Sequence, residues 1–219
     1  MKRLLIILLA AWAASFAAPA AAQVSAGLRL GANLSDVAVR GYDQALKTNG
    51  LFGVAYGLAV EVGIGTKFAI QPELLYSQHG FAVEQTVLFE TLKERVRFSY
   101  LQVPLLAKLK LGAETVKVDV FAGPHFGFGI GEVATESRFL GNTIEGSLSW
   151  EEINQRTDDF GFTFGLGLSF AAGPGALGLD IRYQLGRTNI IAEPIGEEVN
   201  ENRNLQLGLS YLVRLSKGR

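Results

Sequence analysis

The sequence predicts an all-β chain: an eight-stranded antiparallel transmembrane β-barrel, closed and narrow. Three observations carry this. Apolar residues alternate at period two with small or polar ones through eight segments. The polar face of those segments is mostly Gly, Ser and isolated ions, which suits a crowded interior with the large side chains facing lipid. The links between segments alternate long and short, as in outer-membrane barrels with long outer loops and short periplasmic turns.

The first element is not a strand. Lys2 and Arg3 precede the uncharged apolar run Leu4–Ala14, and Ala20-Ala21-Ala22 offers small residues for cleavage. Residues 1–22 therefore read as a cleaved secretory signal peptide, and residues 23–219 as one barrel domain. No later segment has the 18 uncharged apolar residues that a membrane helix needs.

The strands follow in order. Val24–Ser35 places Val24, Leu28, Leu30 and Leu34 on one face and Gly27, Arg29, Gly31 and Asn33 on the other. Phe52–Val62 sets Phe52, Val54, Tyr56 and Leu58 against Gly53, Gly57 and Glu61. Lys67–Gln78 sets Phe68, Ile70, Leu74 and Tyr76 against Gln71, Glu73 and Ser77. Arg97–Leu109 sets Leu101, Val103 and Leu105 against Tyr100, Gln102 and Lys108. Thr115–Ile130 sets Val116, Val118, Val120 and Phe126 against Lys117, Asp119 and His125. Phe160–Phe170 sets Phe162, Phe164, Leu166 and Leu168 against Gly161, Thr163, Gly165 and Gly167. The seventh sets Leu177, Leu179, Ile181 and Tyr183 against Gly178, Asp180, Arg182 and Gln184. The eighth sets Leu205, Leu207, Leu209 and Tyr211 against Gln206, Gly208, Ser210 and Arg214. Long links fall at 36–50, 79–95, 131–159 and 188–202, and short ones at 63–66, 110–114 and 172–175. Parts of 81–95 and 140–158 are open to a short helix.

Composition narrows function. Twenty basic and 21 acidic residues leave no basic excess for nucleic acid. The absence of Cys excludes disulfides and thiolate chemistry. Alternation turns nine ions inward: Arg29, Glu61, Glu73, Lys108, Lys117, Asp119, Asp180, Arg182 and Arg214. Buried ions of both signs are costly alone and tolerable when paired, so these are candidates for a lumenal ionic network. A solute or proton path is the competing reading of the same set.

Catalytic signals are weak. His79 and His125 are the only histidines. Ser77, Glu73 and His79, the last at a strand–loop boundary, lie close in sequence, but that spacing alone does not make a triad. There is no Gly-x-Ser-x-Gly elbow and no His-Glu-x-x-His motif. The Gly-rich stretch 123–129 continues an apolar alternation and lacks the Lys-Ser/Thr of a phosphate loop. The four long links hold sixteen acidic and six basic residues. Glu193, Glu197, Glu198 and Glu201 form their densest acidic group, a candidate extracellular patch for cations or a basic partner, without spacing for a dedicated metal loop.

Several stretches together resemble the PorT-like outer-membrane β-barrel family of Bacteroidetes-type bacteria. They are Gly27-Leu28-Arg29-Leu30-Gly31-Ala32-Asn33-Leu34-Ser35, Gln71-Pro72-Glu73-Leu74-Leu75-Tyr76-Ser77-Gln78-His79-Gly80, Val103-Pro104-Leu105-Leu106, Ala122-Gly123-Pro124, and Arg182-Tyr183 followed by Gly186 and Thr188-Asn189-Ile190. The resemblance implies a barrel of OmpA/OmpX-like architecture in the outer membrane, and an accessory part in surface protein secretion.

The expected function is thus a small structural or interaction barrel of the Gram-negative outer membrane. Both termini are expected in the periplasm and the long loops outside. Its expected partners are outer-membrane lipid and a surface or secretion-machinery protein, with no cofactor, metal or nucleic acid. A narrow solute or ion channel is the alternative, and a membrane-embedded lipid-modifying enzyme the third reading.

Overall fold

A computed structural model describes residues 23–40, 48–87, 90–193 and 199–215. Residues 1–22, read above as a signal peptide, lie outside the described residues. Ten strands run in chain order: β1 (Gln23–Arg40), β2 (Thr48–Ile64), β3 (Phe68–Val87), β4 (Glu90–Gly112), β5 (Val116–Gly129), β6 (Val133–Phe139), β7 (Asn142–Leu148), β8 (Asp158–Ala172), β9 (Gly175–Gly186) and β10 (Val199–Arg214).

Eight of them pair antiparallel in the cycle β1-β2-β3-β4-β5-β8-β9-β10, with β10 returning to β1 and β3 pairing β4. Each of the eight thus has two strand partners. Register follows the alternation read from the sequence. Arg29 stands between Gly57 of β2 and Ser210 of β10, and Arg182 between Gly165 of β8 and Gln206 of β10.

Burial is inverted relative to a soluble sheet. Phe52 is 73% exposed and Leu28 65%, whereas Arg29 is 2% exposed and Glu73 1%. Leu, Phe and Val cover the outside, and the ions and amides are inside. That distribution requires an apolar solvent around the strands.

Tight turns join the short links. Gly65 (φ 67°) and Gly173 (φ 55°) adopt the left-handed backbone that a side chain resists.

All four long links overlap strands at their ends, and two differ most from expectation. The stretch 79–95 is almost wholly strand, because β3 runs to Val87 and β4 starts at Glu90. The stretch 131–159 contains the hairpin β6–β7, with β6 paired to β4. Neither holds a helix among the described residues. The reason is that alternation here is of the water-facing kind. Lys93, Arg95 and Arg97 lie on one face of β4, and Val96 and Phe98 on the other, so no continuous apolar face marks the strand.

On the inner face of this projection Phe98, Tyr100, Val133 and Trp150 form the hydrophobic cluster, with Phe81, Val96 and Ile153 against it. Trp150 donates from Nε1 to the Gly131 carbonyl at 2.9 Å. Its ring occupies the space that a Cβ on Gly129 would need, 2.6 Å away. The turn after β7 is closed reciprocally: Ser149 N donates to Glu152 Oε2, and Glu152 N to Ser149 Oγ. Those bonds hold the exposed Glu152 carboxyl below its usual range, the Ser149 backbone N–H contributing most.

Candidate functional site

The lumen is the candidate site, because strand parity delivers every inward polar side chain to one narrow space. At its periplasmic end, Lys108 Nζ donates to Glu61 Oε2 at 2.9 Å and to Gln71 Oε1 at 2.9 Å. Lys108 also lies 3.4 Å from Asp119 Oδ2. Lys110 donates to the second Glu61 oxygen. Two cations thus hold one carboxylate, while Asp119 shares Lys108 and accepts from Ser169 Oγ at 3.4 Å.

The middle of the lumen holds two Arg and two carboxylates. Arg182 donates from Nη1 to Glu73 Oε2 at 2.8 Å and from Nε to Asp180 Oδ1 at 3.0 Å. Arg29 donates to both Asp180 oxygens, at 2.5 and 2.8 Å. Gln71 Nε2 donates to Glu73 Oε1 at 2.5 Å, which links this layer to the one below. The Arg182 guanidinium also lies 5.1 Å from the centroid of the Phe121 ring. The small residues opposite have a specific use: a Cβ on Gly208 would stand 2.1 Å from Arg29 Nη2, so only Gly leaves room for that guanidinium.

Above lies a layer of amides and hydroxyls. Arg29 Nη2 donates to Gln206 Oε1 at 2.9 Å, and Gln206 Nε2 to Asn33 Oδ1 at 2.7 Å. Asn33 Nδ2 donates to Ser77 Oγ at 3.0 Å, and Asn204 Nδ2 to Gln184 Oε1 at 2.8 Å. Gln184 Nε2 reaches Gln102 Oε1 at 3.4 Å, and His79 Nε2 lies 3.0 Å from Ser77 Oγ. At the outer mouth Asn202 Nδ2 donates to Asp159 Oδ2 at 3.0 Å, beneath the aromatic cluster.

Of the nine inward ions expected, seven come together: Arg29, Glu73, Asp180 and Arg182 in the middle, and Glu61, Lys108 and Asp119 below. The other two do not. Lys117 is half-buried near the periplasmic end of β5, and Arg214 is exposed at the last position of β10; neither side chain makes an ion pair among the described residues. Both sit where the strand leaves the packed interior, so parity alone misplaces them.

The sequence reading missed Lys110, which lies on the inward parity but was assigned to a link. It also counted only charges. The amides Asn33, Gln71, Gln102, Gln184, Asn204 and Gln206 are all buried on the same faces and carry the connections between charged layers.

Of the four acidic-patch residues, only Glu193 and Glu201 fall within the described residues. Glu193 is exposed, and Glu197 and Glu198 lie outside the described residues. Glu201 is buried, with Oε1 3.6 Å from Arg187 Nη1, so it has a basic neighbour that sequence distance hid. No group of three acidic or His side chains is placed to hold a metal ion among the described residues.

The geometry does not build a hydrolase. Ser77 and His79 are in contact, but Glu73, the nearest carboxylate in sequence, is committed to Arg182. Ser77 is fully buried, and the described residues contain no catalytic motif.

An all-β cycle with lipid-type residues outside and a packed ionic interior defines a small outer-membrane barrel, with its termini in the periplasm and its long loops extracellular. The chain belongs to the outer membrane protein beta-barrel domain family, whose model matches residues 14–192. This corrects the PorT-like assignment: the family matched is the general barrel domain, and all but Thr188-Asn189-Ile190 of the short stretches that suggested PorT are inward and outward positions of ordinary barrel strands. The basis for a secretion role goes with it. No curated protein matches the sequence.

Solved structures similar to this chain include Ail, the attachment invasion locus protein of Yersinia pestis (13% identity, 86% of this chain and 97% of that one, TM-score 0.41). Neisserial surface protein A (NspA) is 10% identical, with 86% and 97% covered and a TM-score of 0.40. OprG of Pseudomonas aeruginosa is 11% identical, with 87% and 94% covered and a TM-score of 0.42.

Proposed function

We propose that the chain is a closed, non-conducting barrel of the outer membrane, surrounded by lipid, that acts as a structural and interaction protein. Its membrane part is an anchor, and the extension of β3 and β4 with the β6–β7 hairpin is what it presents to the outside. In this reading residues 1–22 are removed on export and 23–219 form the single barrel domain.

One observation carries the reading. A continuous chain of contacts runs across the lumen from Glu61 through Lys108, Gln71, Glu73, Arg182, Asp180, Arg29, Gln206 and Asn33 to Ser77 and His79. A cavity bordered by Lys108, Asp119, Asp180 and Arg182 among the described residues is about 20 Å³, room for one water. Conduction needs a connected wet path, and opening one here means separating buried ion pairs. A structural lumen needs only what is present.

Planar-bilayer recording of the full chain tests this. The reading expects no discrete conductance steps above the lipid background. Reproducible steps whose ion selectivity changes in Arg182→Met would replace it with the channel reading.

A further inference from the structure

Among the described residues the extracellular hairpin has a free edge: β7 pairs only with β6 and ends the sheet, and all seven of its residues, Asn142–Leu148, are exposed. Water-facing edges are normally blunted by Lys, Pro or a bulge. β7 contains no Lys and no Pro, and its register with β6 is uninterrupted. On its inner face Ile144 is 72% exposed, an apolar side chain without cover.

Charge then selects the occupant. Glu145 is the only charged residue of β7 and stands opposite Glu136 of β6. Glu136 is held by Arg95 at 3.0 Å and Arg138 at 3.6 Å, while Glu145 has no ion pair among the described residues. The surrounding stretch 131–159 carries seven acidic and two basic residues. A second copy of this chain fits poorly, because symmetric antiparallel pairing centred on β7 would set Glu145 against Glu145, and like charges directly opposite destabilise a strand pair. A basic strand meets the opposite situation.

We propose that the β7 edge receives an extended, Lys- or Arg-bearing segment of another protein as an added strand, with main-chain bonds to β7 and a cation beside Glu145. This deepens the interaction role above and rests on the hairpin being presented outside.

The test uses the full chain folded in detergent and two synthetic probes: a seven-residue peptide alternating Val and Lys, and its twin with Glu for Lys. The Lys peptide should bind in preference to the Glu peptide and slow amide exchange across 142–148. Glu145→Lys should weaken the Lys peptide about five- to tenfold, as expected for turning one cross-strand attraction into a repulsion. Three results would overturn the proposal: no binding of the Lys peptide at millimolar concentration, binding that protects no amide of 142–148, or binding indifferent to Glu145→Lys. Concentration-dependent self-association that protects the same amides would assign the edge to a second copy instead and equally overturn it. Because these readouts concern only the hairpin, they fail separately from the conductance result that decides the state of the lumen.

Discussion

Arg182 on β9 and Glu73 on β3 meet at 2.8 Å, although their strands stand opposite each other in the eight-membered cycle. This pair crosses the lumen, so it ties the two halves of the ring and blocks its middle at once. Both side chains are fully enclosed. Removing Arg182 leaves Glu73 only the longer contact to Arg29 Nε, at 3.8 Å, as counter-charge, and an under-compensated buried carboxylate costs far more than the pair contributes against an apolar alternative.

Arg182→Met should therefore lower barrel stability by about 3–5 kcal/mol, read by reversible urea unfolding in lipid vesicles. Adding Glu73→Gln to that variant removes the stranded charge and should recover part of the loss. A single variant as stable as the parent would mean that water already reaches Glu73.

Gly208 is small because Arg29 lies over it. Gly208→Val should destabilise by about 1–3 kcal/mol, the usual range for overpacking. The same change in an Arg29→Ala background should cost clearly less, since the clashing guanidinium is gone. Equal costs in the two backgrounds would place Arg29 elsewhere.

Leu168 faces outward at 42% exposure, on the strand where Gly167 faces in. Leu168→Arg should cost about 2–4 kcal/mol if the position lies at the bilayer midplane. The same substitution at the exposed extracellular residue Ile144 should leave unfolding of the barrel unchanged. Similar effects at both sites would argue against a lipid-facing Leu168.

The Ser149–Glu152 turn gives a pH prediction. Glu152 has a lowered value in the folded turn, so its contribution is fully present above the ordinary carboxylate range and is lost as pH falls through the lowered value. Amide exchange of residues 149–153 should accelerate on acidification, after correction for the intrinsic rate. Ser149→Ala should bring the Glu152 titration, followed by NMR, back toward that of an ordinary Glu. An unshifted Glu152 in the parent would remove the basis of this prediction.

Much of the architecture was legible because one physical rule governs the membrane-crossing strands. Between Leu166 and Leu168, or Leu207 and Leu209, parity alone separates outside from inside. The rule stops where the solvent changes. Above the membrane β4 runs Lys93-Glu94-Arg95, with charges on both parities, so the stretch 79–95 carries no lipid-type face and reads from sequence as a link. The site was legible by sign but not by partner. Arg182 and Glu73 are 109 positions apart, and only the register of intervening strands sets them face to face. The amides that join the layers, such as Gln206 between Arg29 and Asn33, looked like filler beside the ions.

The chain has no Cys, so single cysteines at Thr163 and Phe164 can be spin-labelled without background. Thr163 is fully buried against His125 in the lumen, and its neighbour Phe164 is 46% exposed on the outside. In lipid vesicles, a label at 164 should be relaxed by dissolved oxygen and not by a water-soluble nickel chelate. A label at 163 should be strongly immobilised and reached by neither. Relaxation of the 163 label by the chelate would mean a wet, open lumen and would contradict the account.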